Sequence, residues 1–259
     1  MLSDLDLLKE AARIAGEVAT PFWRCDPKTW EKDDGAGPVT EADFAVDEAL
    51  LSHLTAARPD YGWLSEETAD SPTRLERKKV FIIDPIDGTR SFIAGDKNWS
   101  HSLAIAEDGE ITAAVVYLPL RERMFTAQKG KGAWLNDVVM HSSERSQVDG
   151  ATVLTARPTL LAQHWTGGTP KFVRKFRPSL AYRMALVAQG RYDAMISLRA
   201  TWEWDVAAGC LILSEAGGTA MDRHGNAPRF NRPDPRIDGL VAAGTPLARE
   251  IQMRLAVPN

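Results

Sequence analysis

Two aspartates three residues apart follow a run of four apolar residues in the stretch VFIIDPIDGTR, residues 80–90. An apolar run of this kind is typical of a β-strand that is covered on both faces. Asp84 and Asp87 would then lie at the mouth of a buried strand, where two carboxylates repel each other and lose hydration. A bound cation would offset that repulsion, since hard divalent ions prefer oxygen ligands.

Further acidic residues share this position at the end of an element, next to apolar sequence. They are Asp43, Glu66, Glu67 and Asp205. Each has a structural explanation when taken alone, as a helix cap, a loop residue or an acid near a helix start. Their joint occurrence favours a site for a hard cation. The five histidines show no zinc-motif spacing, which argues against a zinc site.

The residues around the second aspartate suit a phosphate group. Pro85 fixes the backbone just past the strand and leaves the carbonyl of Ile86 as a further oxygen ligand. Gly88 and Thr89 then begin a predicted helix, whose first N–H groups lack intrahelical partners and whose positive dipole end attracts an anion. Metal carboxylates on one side and helix N–H groups on the other predict a site for phosphoryl transfer.

The hydrophobic pattern predicts the elements that must position these residues. Helical spacing predicts one helix over about residues 3–22 and a second that begins at the N-cap Thr40. The apolar side of the second helix would consist of Phe44, Leu50, Leu51 and Leu54. Hairpins in the middle of the chain are followed by alternating strands and helices. Because hairpins are hard to place in a doubly wound parallel sheet, we predict an α+β layered sandwich of helices and mixed sheets.

Composition and charge exclude several classes of function. The 259 residues carry a formal net charge of -4 without a dense Lys/Arg block, which argues against an electrostatic nucleic-acid binder. No apolar run is long enough to span a bilayer, and the N-terminus lacks a signal-peptide pattern. We therefore expect a cytoplasmic protein whose partner is a small phosphorylated metabolite, with neither a nucleic acid polymer nor a membrane as a partner.

Taken together, the motifs resemble those of the inositol monophosphatase-like family of Mg²⁺-dependent, lithium-sensitive phosphatases. The elements VTEAD, EE, DPIDGT and WDVAAG occur in the family's order and span essentially the whole chain. The resemblance implies a five-layered α/β/α/β/α sandwich, commonly a homodimer. It also implies one compact unit with two halves. Residues 1–145 would form an α+β half with most metal ligands, and residues 146–259 an α/β half with the last ligand and the substrate pocket.

The same resemblance implies a role for each acidic residue of the motifs. Two or three Mg²⁺ ions would bind per active site. Glu67, Asp84 and the carbonyl of Ile86 would bind the first ion, which would hold the attacking water. Asp84, Asp87 and Asp205 would bind the second ion, which would stabilise the leaving oxygen.

The remaining roles concern water activation and phosphate binding. A weaker third ion would lie near Glu67 and Asp43. Thr89, which is hydrogen-bonded to Asp43 in the family's pattern, would help to deprotonate the water. Gly88 and Thr89 would bind the phosphate, and Lys32 falls where the family has a mobile-loop lysine near the metals.

The substrate class is predicted from two short motifs. Arg90 stands where inositol monophosphatases usually have a small polar residue, and TWEWD at residues 201–205 is similar to the T-x-E-W-D of bacterial bisphosphate nucleotidases. The expected activity is thus that of a 3′(2′),5′-bisphosphate nucleotidase acting on 3′-phosphoadenosine 5′-phosphate. Alternatives are an inositol-1-monophosphatase or other sugar phosphatase, a histidinol-phosphatase, and a regulatory binding protein of the same fold. A second phosphate needs a second basic anchor, which Arg183, Arg199 or the cluster 171–177 could supply.

Overall fold

Two large β-sheets alternate with layers of helices in this chain, as seen in a computed structural model that describes residues 2–32 and 37–256. The helices are α1 Asp4–Ala19, α2 Glu41–Ala57, α3 Thr89–Ile93, α4 Leu180–Ala188, α5 Glu203–Glu215 and α6 Thr245–Arg254. The strands are β1 Thr29–Glu31, β2 Pro38–Thr40, β3 Gly62–Ser65, β4 Lys79–Asp87, β5 Ser100–Glu107, β6 Glu110–Leu118, β7 Arg123–Gln128, β8 Ala133–Leu135, β9 Val138–Val139, β10 Thr152–Thr155, β11 Val173–Lys175, β12 Ala194–Ser197, β13 Thr201–Trp202, β14 Gly218–Met221, β15 Arg236–Ile237 and β16 Leu240–Gly244. None of the described helices is both long and apolar enough to cross a bilayer.

The larger sheet contains seven strands in the order β3-β4-β5-β6-β7-β8-β9. Its first pair is parallel and the later pairs, each of strands consecutive along the chain, are antiparallel. Alternate side chains of β4 enter two different cores, as the period of a strand requires. Phe81 and Ile83 pack with α1 and α2, whereas Val80 and Ile82 pack with α4 and α5.

The smaller sheet contains five strands in the order β11-β10-β12-β16-β14. Leu154 and Met195 face α4 and α5, while Val153 and Ile196, on the opposite face, pack with α6. The layers therefore run α1–α2, seven-stranded sheet, α4–α5, five-stranded sheet, α6. This order confirms the predicted five-layered sandwich of helices and mixed sheets.

The central helix layer is packed so closely that one position requires glycine. A Cβ atom at Gly209 of α5 would lie 2.6 Å from the Cβ atom of Met184 on α4. The backbone of α5 at Gly209 can thus lie directly against the side chain of Met184 on α4. Ser179 lies at the N-terminal end of α4, and Asp205 lies at the N-terminal end of α5. The glycine of the WDVAAG motif therefore serves the packing that brings α4 and α5 to one end of the layer.

The predicted helix near the N-terminus is confirmed by α1 and a 3₁₀ turn at Thr20–Phe22. The prediction for the apolar side of the second helix, α2, is partly wrong. Thr40 caps α2, and Leu50 and Leu54 are buried. Phe44, in contrast, is 45% exposed and packs on Trp30, with ring centroids 5.9 Å apart. The reason is that two aspartates, which a hydrophobic pattern assigns to solvent, occupy the buried face of α2 instead.

Candidate active site

A cavity of about 750 Å³ opens where β4, α3 and the N-terminal ends of α4 and α5 meet. Its wall is completed by residues of the segments 156–164 and 176–199. Residues from both sheets and from the helix layer between them line the same space. The acidic residues in the lining are Glu66, Asp84, Asp87 and Asp205, and the residues that can carry positive charge are Arg90, His164, Arg183 and Arg199.

Three carboxylates converge in this cavity. Asp84, Asp87 and Asp205 each offer an oxygen atom, and these atoms lie within 4.8 Å of one another. Asp84 is 1% exposed, and its Oδ1 has no hydrogen-bond partner among the described residues. Burial, followed by repulsion from Glu66 and Asp87, raises the pKa of Asp84 well above its ordinary value. Three converging carboxylates, one of them with a buried oxygen atom that lacks a partner among the described residues, fit a cation.

A bulge in β4 brings the first two carboxylates to the same side of the sheet. In a regular strand, residues three apart point to opposite faces. Here Asp84 pairs with Ser102 of β5, and Asp87 pairs with Ser100, so that three steps along β4 match two along β5. The extra residue turns Asp87 towards Asp84. The DPID motif therefore depends on an irregular strand.

The carbonyl of Pro85 within this bulge is held by His101. The two atoms, His101 Nδ1 and the Pro85 oxygen, are 2.5 Å apart in the protein interior. Burial lowers the pKa of His101 to about 4, so the ring is neutral at pH 7 and donates its proton from Nδ1. The sequence interpretation missed His101, because the scattered histidines were tested only for zinc spacing.

Asp87 also receives hydrogen bonds from the N-terminus of α4. Its Oδ2 accepts from the hydroxyl of Ser179 at 2.6 Å and from the N–H of Ala181 at 2.7 Å, and its Oδ1 accepts from the N–H of Leu180 at 3.2 Å. Burial raises the pKa of Asp87 to about 6, although these hydrogen bonds act in the opposite direction. Ser179 was missed, and its position as the N-cap of an apolar helix is the signal that could have identified it.

Asp43 is both a helix cap and a partner of Thr89. Its Oδ2 accepts from the N–H and hydroxyl of Thr40 at 2.8 and 2.6 Å, which completes a capping box at the start of α2. The hydroxyl of Thr89 lies 3.1 Å from Asp43 Oδ1 and 3.1 Å from the carbonyl oxygen of Ile86. Burial raises the pKa of Asp43 to about 6. The structural and the functional interpretations of this residue are therefore compatible.

Glu66 and Glu67 share one counter-ion. The ammonium group of Lys32 lies 2.7 Å from a carboxylate oxygen of each glutamate. The side chain of Glu67 is only 3% exposed, and burial followed by repulsion from Glu66 raises its pKa to about 7. Glu67 lies outside the triad of aspartates, and Glu66 rather than Glu67 lines the cavity. Metal ligation by Glu67 stays a prediction, as does a third ion between it and Asp43.

The residues predicted to bind phosphate, Gly88 and Thr89, lie in the cavity wall beside the triad of aspartates. Gly88 has a φ of +104°, a conformation that favours glycine, and it is the N-cap of the five-residue helix α3. Both Gly88 and Thr89 line the cavity, followed by Arg90. The first N–H groups of α3 are the ones that lack partners within a helix.

The basic part of the lining comes from α4 and from the end of β12. The guanidinium of Arg183 bonds the carbonyl of Arg177 through Nε and stacks on Phe176, 4.5 Å from the ring centroid. Burial lowers the pKa of Arg183 to about 10, so the group stays charged at pH 7. Arg199 is exposed in the same cavity, whereas Phe176 alone of the segment 171–177 lines it.

The glutamate of the TWEWD motif lies away from the substrate space. Glu203 is 0% exposed and accepts from the N–H groups of Asn231 and Arg232 at 2.7 and 3.0 Å. Trp202 stacks on Trp204 with ring centroids 4.8 Å apart. Glu203 therefore holds the loop at residues 231–232 in place. In this chain the glutamate of the TWEWD motif has a structural role and does not face the substrate space.

Comparison with known proteins gives one consistent result. The sequence profile described as the inositol monophosphatase family matches residues 3–256. The inositol-1-monophosphatase of Rhizobium meliloti is 32% identical over 204 residues, which cover 72% of this chain and 73% of that protein. The Nus factor SuhB of Pseudomonas aeruginosa is 32% identical over 236 residues, 86% of each chain. The solved structure of the Thermotoga maritima IMPase is 25% identical, with a TM-score of 0.84 over 97% of this chain and 96% of that chain.

The crowded carboxylates predict an unusual pH dependence for the metal-free protein. Because the folded-state pKa values of Asp43, Asp87 and Glu67 are raised to about 6, 6 and 7, the folded chain binds more protons than the unfolded chain between about pH 4 and pH 7. Stability must then fall as pH rises through this window. Calorimetry in EDTA should show a melting temperature that decreases from pH 5 to pH 7.5.

Saturating Mg²⁺ is the control for this measurement, because a ligand that binds only the folded chain stabilises it. We expect the cation to raise the melting temperature most at pH 7.5, where the carboxylates are ionised. A metal-free melting temperature that is constant or rises over this range would contradict the prediction.

Proposed function

Because this chain belongs to the inositol monophosphatase family, whose members are metal-dependent phosphatases, we propose that it is a Mg²⁺-dependent phosphomonoesterase acting on a 3′(2′),5′-bisphosphate nucleotide. The observation that carries the metal-dependent chemistry is the triad of Asp84, Asp87 and Asp205, in which Asp84 Oδ1 has no hydrogen-bond partner among the described residues. Carboxylate oxygens, with the Ile86 carbonyl beside them, are a donor set that suits Mg²⁺.

The proposed mechanism assigns separate tasks to the metal and to the chain. Bound Mg²⁺ supplies positive charge that acidifies water and stabilises the phosphoryl oxygens. The Thr89 hydroxyl donates to Asp43 and keeps a lone pair for a water molecule. With its pKa at about 6, Asp43 can receive a proton that leaves this water through Thr89. The N–H groups at Gly88 and Thr89 would hold a phosphate oxygen, which orients the phosphorus for attack.

The charge distribution of the cavity supports a substrate with a second anionic group. Apart from the triad and Glu66, the charged residues in the described lining are cationic or can become so. Arg183 and Arg199 could bind a second phosphate, since guanidinium groups form strong paired hydrogen bonds with phosphate oxygens. Phe176 adds an aromatic surface on the same wall, which suits a nucleobase.

Inositol 1-phosphate is the second candidate substrate. It is favoured by relatives such as the Rhizobium meliloti protein, whose name is inositol-1-monophosphatase. Inhibition by Li⁺, a homodimeric state and a cytoplasmic location belong to the same proposal, since the family resemblance suggests them.

The direct test is phosphate release, with and without Mg²⁺, from 3′-phosphoadenosine 5′-phosphate, inositol 1-phosphate and histidinol phosphate. We expect the bisphosphate to have the highest kcat/KM, and we expect Asp205→Asn to lose about 10²-fold or more while the fold is retained, because a ligand charge is removed. A higher kcat/KM for inositol phosphate would overturn the substrate assignment. Absence of hydrolysis for all three compounds would overturn the enzyme assignment.

The second-anion hypothesis predicts a selective effect of Arg199. Replacing Arg199 with Gln should raise KM for the bisphosphate about tenfold, because it removes a charge-assisted hydrogen bond of about 1.5 kcal/mol. KM for a substrate with a single phosphate group, such as p-nitrophenyl phosphate, should stay unchanged. Arg191→Gln is the matched control, since Arg191 is exposed but lies outside the described cavity lining. Equal effects of Arg199→Gln on both substrates would contradict the hypothesis.

A further inference from the structure

We propose that Asp47 is a positioning residue that holds Glu66 and Glu67 towards the metal site by bonding the hydroxyl groups on either side of them. This inference rests on the proposed function, because it concerns how the site presents carboxylates to the cation. Asp47 is absent from the described lining of the cavity, so it would act through other residues rather than as a ligand.

The hydrogen bonds of Asp47 form a bracket around the glutamate pair. The hydroxyl of Ser65 donates to Asp47 Oδ1 at 2.5 Å, and the hydroxyl of Thr68 donates to Asp47 Oδ2 at 2.5 Å. Ser65 and Thr68 are the residues directly before and after Glu66-Glu67. A single carboxylate on α2 therefore fixes both ends of the short segment that carries the two glutamates.

The direction of one of these hydrogen bonds is fixed by a further contact. The indole N–H of Trp63 donates to Thr68 Oγ1 at 3.2 Å. An indole can only donate, so the hydroxyl accepts from Trp63 and its own proton is available for Asp47. On the other side, the N–H of Glu66 donates to the carbonyl of Ile83 at 3.2 Å, which ties the segment to β4 one residue before Asp84.

The bracket matters because the glutamate segment has no regular secondary structure, and its other contacts include the ion pairs with Lys32 and the bond from the Glu66 N–H to Ile83. Residues 66–68 lie in a bend after β3, outside any helix or strand. Two adjacent carboxylates repel each other, and the side chain of Glu67 is only 3% exposed, so little water screens this repulsion. Without the bracket, the segment could rotate and release both side chains into water. Asp47 is only 7% exposed and lies one turn after Asp43, on the buried face of α2.

The alternative is that Asp47 stabilises the fold without affecting the site. Asp193 provides a matched control for this case, because it also accepts from two hydroxyls, those of Ser143 and Thr152. It lies just before β12, whereas the cavity residues Ile196 and Ser197 are at the other end of that strand. Removing either carboxylate should lower the melting temperature, but only Asp47 should affect metal binding.

The test measures Mn²⁺ binding to the full chain by electron paramagnetic resonance, and the Mg²⁺ concentration for half-maximal phosphatase activity. We expect Asp47→Ala to weaken both about tenfold or more, the usual effect of losing a group that orients a metal ligand. Asp193→Ala should leave both unchanged. For Asp47→Asn, Mn²⁺ affinity and the half-maximal Mg²⁺ concentration should stay within about threefold of wild type. The amide can still bond both hydroxyls, because it accepts a hydrogen bond from one and donates a hydrogen bond to the other.

If Asp47→Ala does not fold, a milder change at Thr68 provides the test. Thr68→Val removes one of the two hydroxyl groups that bond Asp47, and Thr68→Ser keeps it. The valine variant should weaken Mn²⁺ binding and the serine variant should restore it, with KM for the phosphate ester unchanged at saturating Mg²⁺. The inference is overturned if Asp47→Asn is as impaired as Asp47→Ala, or if Thr68→Val binds Mn²⁺ like wild type. Wild-type protein that binds no Mn²⁺ and releases no phosphate would instead overturn the proposed function, and this inference with it.

Discussion

The bulge between Asp84 and Asp87 is the constraint on which the site depends. A regular strand would send the two carboxylates to opposite faces of the seven-stranded sheet. One extra residue in β4 places them together, beside Asp205. Pro85 fits this bulge because it has no N–H to leave unpaired, and its carbonyl is bonded by His101. The irregular strand therefore creates a concentration of negative charge that the rest of the molecule must hold in place.

The surrounding elements stabilise these charges in three different ways. Asp87 accepts from the N-terminus of α4, where the free N–H groups and the helix dipole favour an anion. Asp43 is held by the capping box of α2. Glu66 and Glu67 share the ammonium of Lys32. Asp84 Oδ1 is buried and has no hydrogen-bond partner among the described residues, and a cation is the group that would satisfy it. The helices that pack the sandwich thus also organise the carboxylate cluster.

Local sequence patterns were sufficient for the parts of this site that lie within one element. The strand before Asp84 and the N-cap Thr40 follow from short-range rules, and the layered fold follows from the order of hairpins and helices. Contacts between distant segments could not be predicted in the same way. The bond from Ser179 to Asp87 joins residues 92 positions apart, and the bond from Ser65 to Asp47 spans 18.

The errors in the sequence interpretation have a common physical cause. Phe44 was assigned to the core because it is apolar, while Asp43 and Asp47 occupy the buried face of α2 through their hydrogen bonds. Glu203 belongs to a motif similar to one of bisphosphate nucleotidases, yet its buried carboxylate accepts from the N–H groups of Asn231 and Arg232. In each case a specific polar contact, invisible to periodicity, outweighs the general preference of the residue type.

If the β4 bulge assembles carboxylates for a divalent cation, such an ion must bind beside Asp84, Asp87 and Asp205. The most direct measurement is an anomalous difference map from a crystal of the wild-type protein grown with Mn²⁺, collected near the manganese absorption edge. We expect a strong peak in contact with carboxylate oxygens of Asp84, Asp87 and Asp205. A fully ordered site with no peak there, at a Mn²⁺ concentration that supports catalysis, would contradict it.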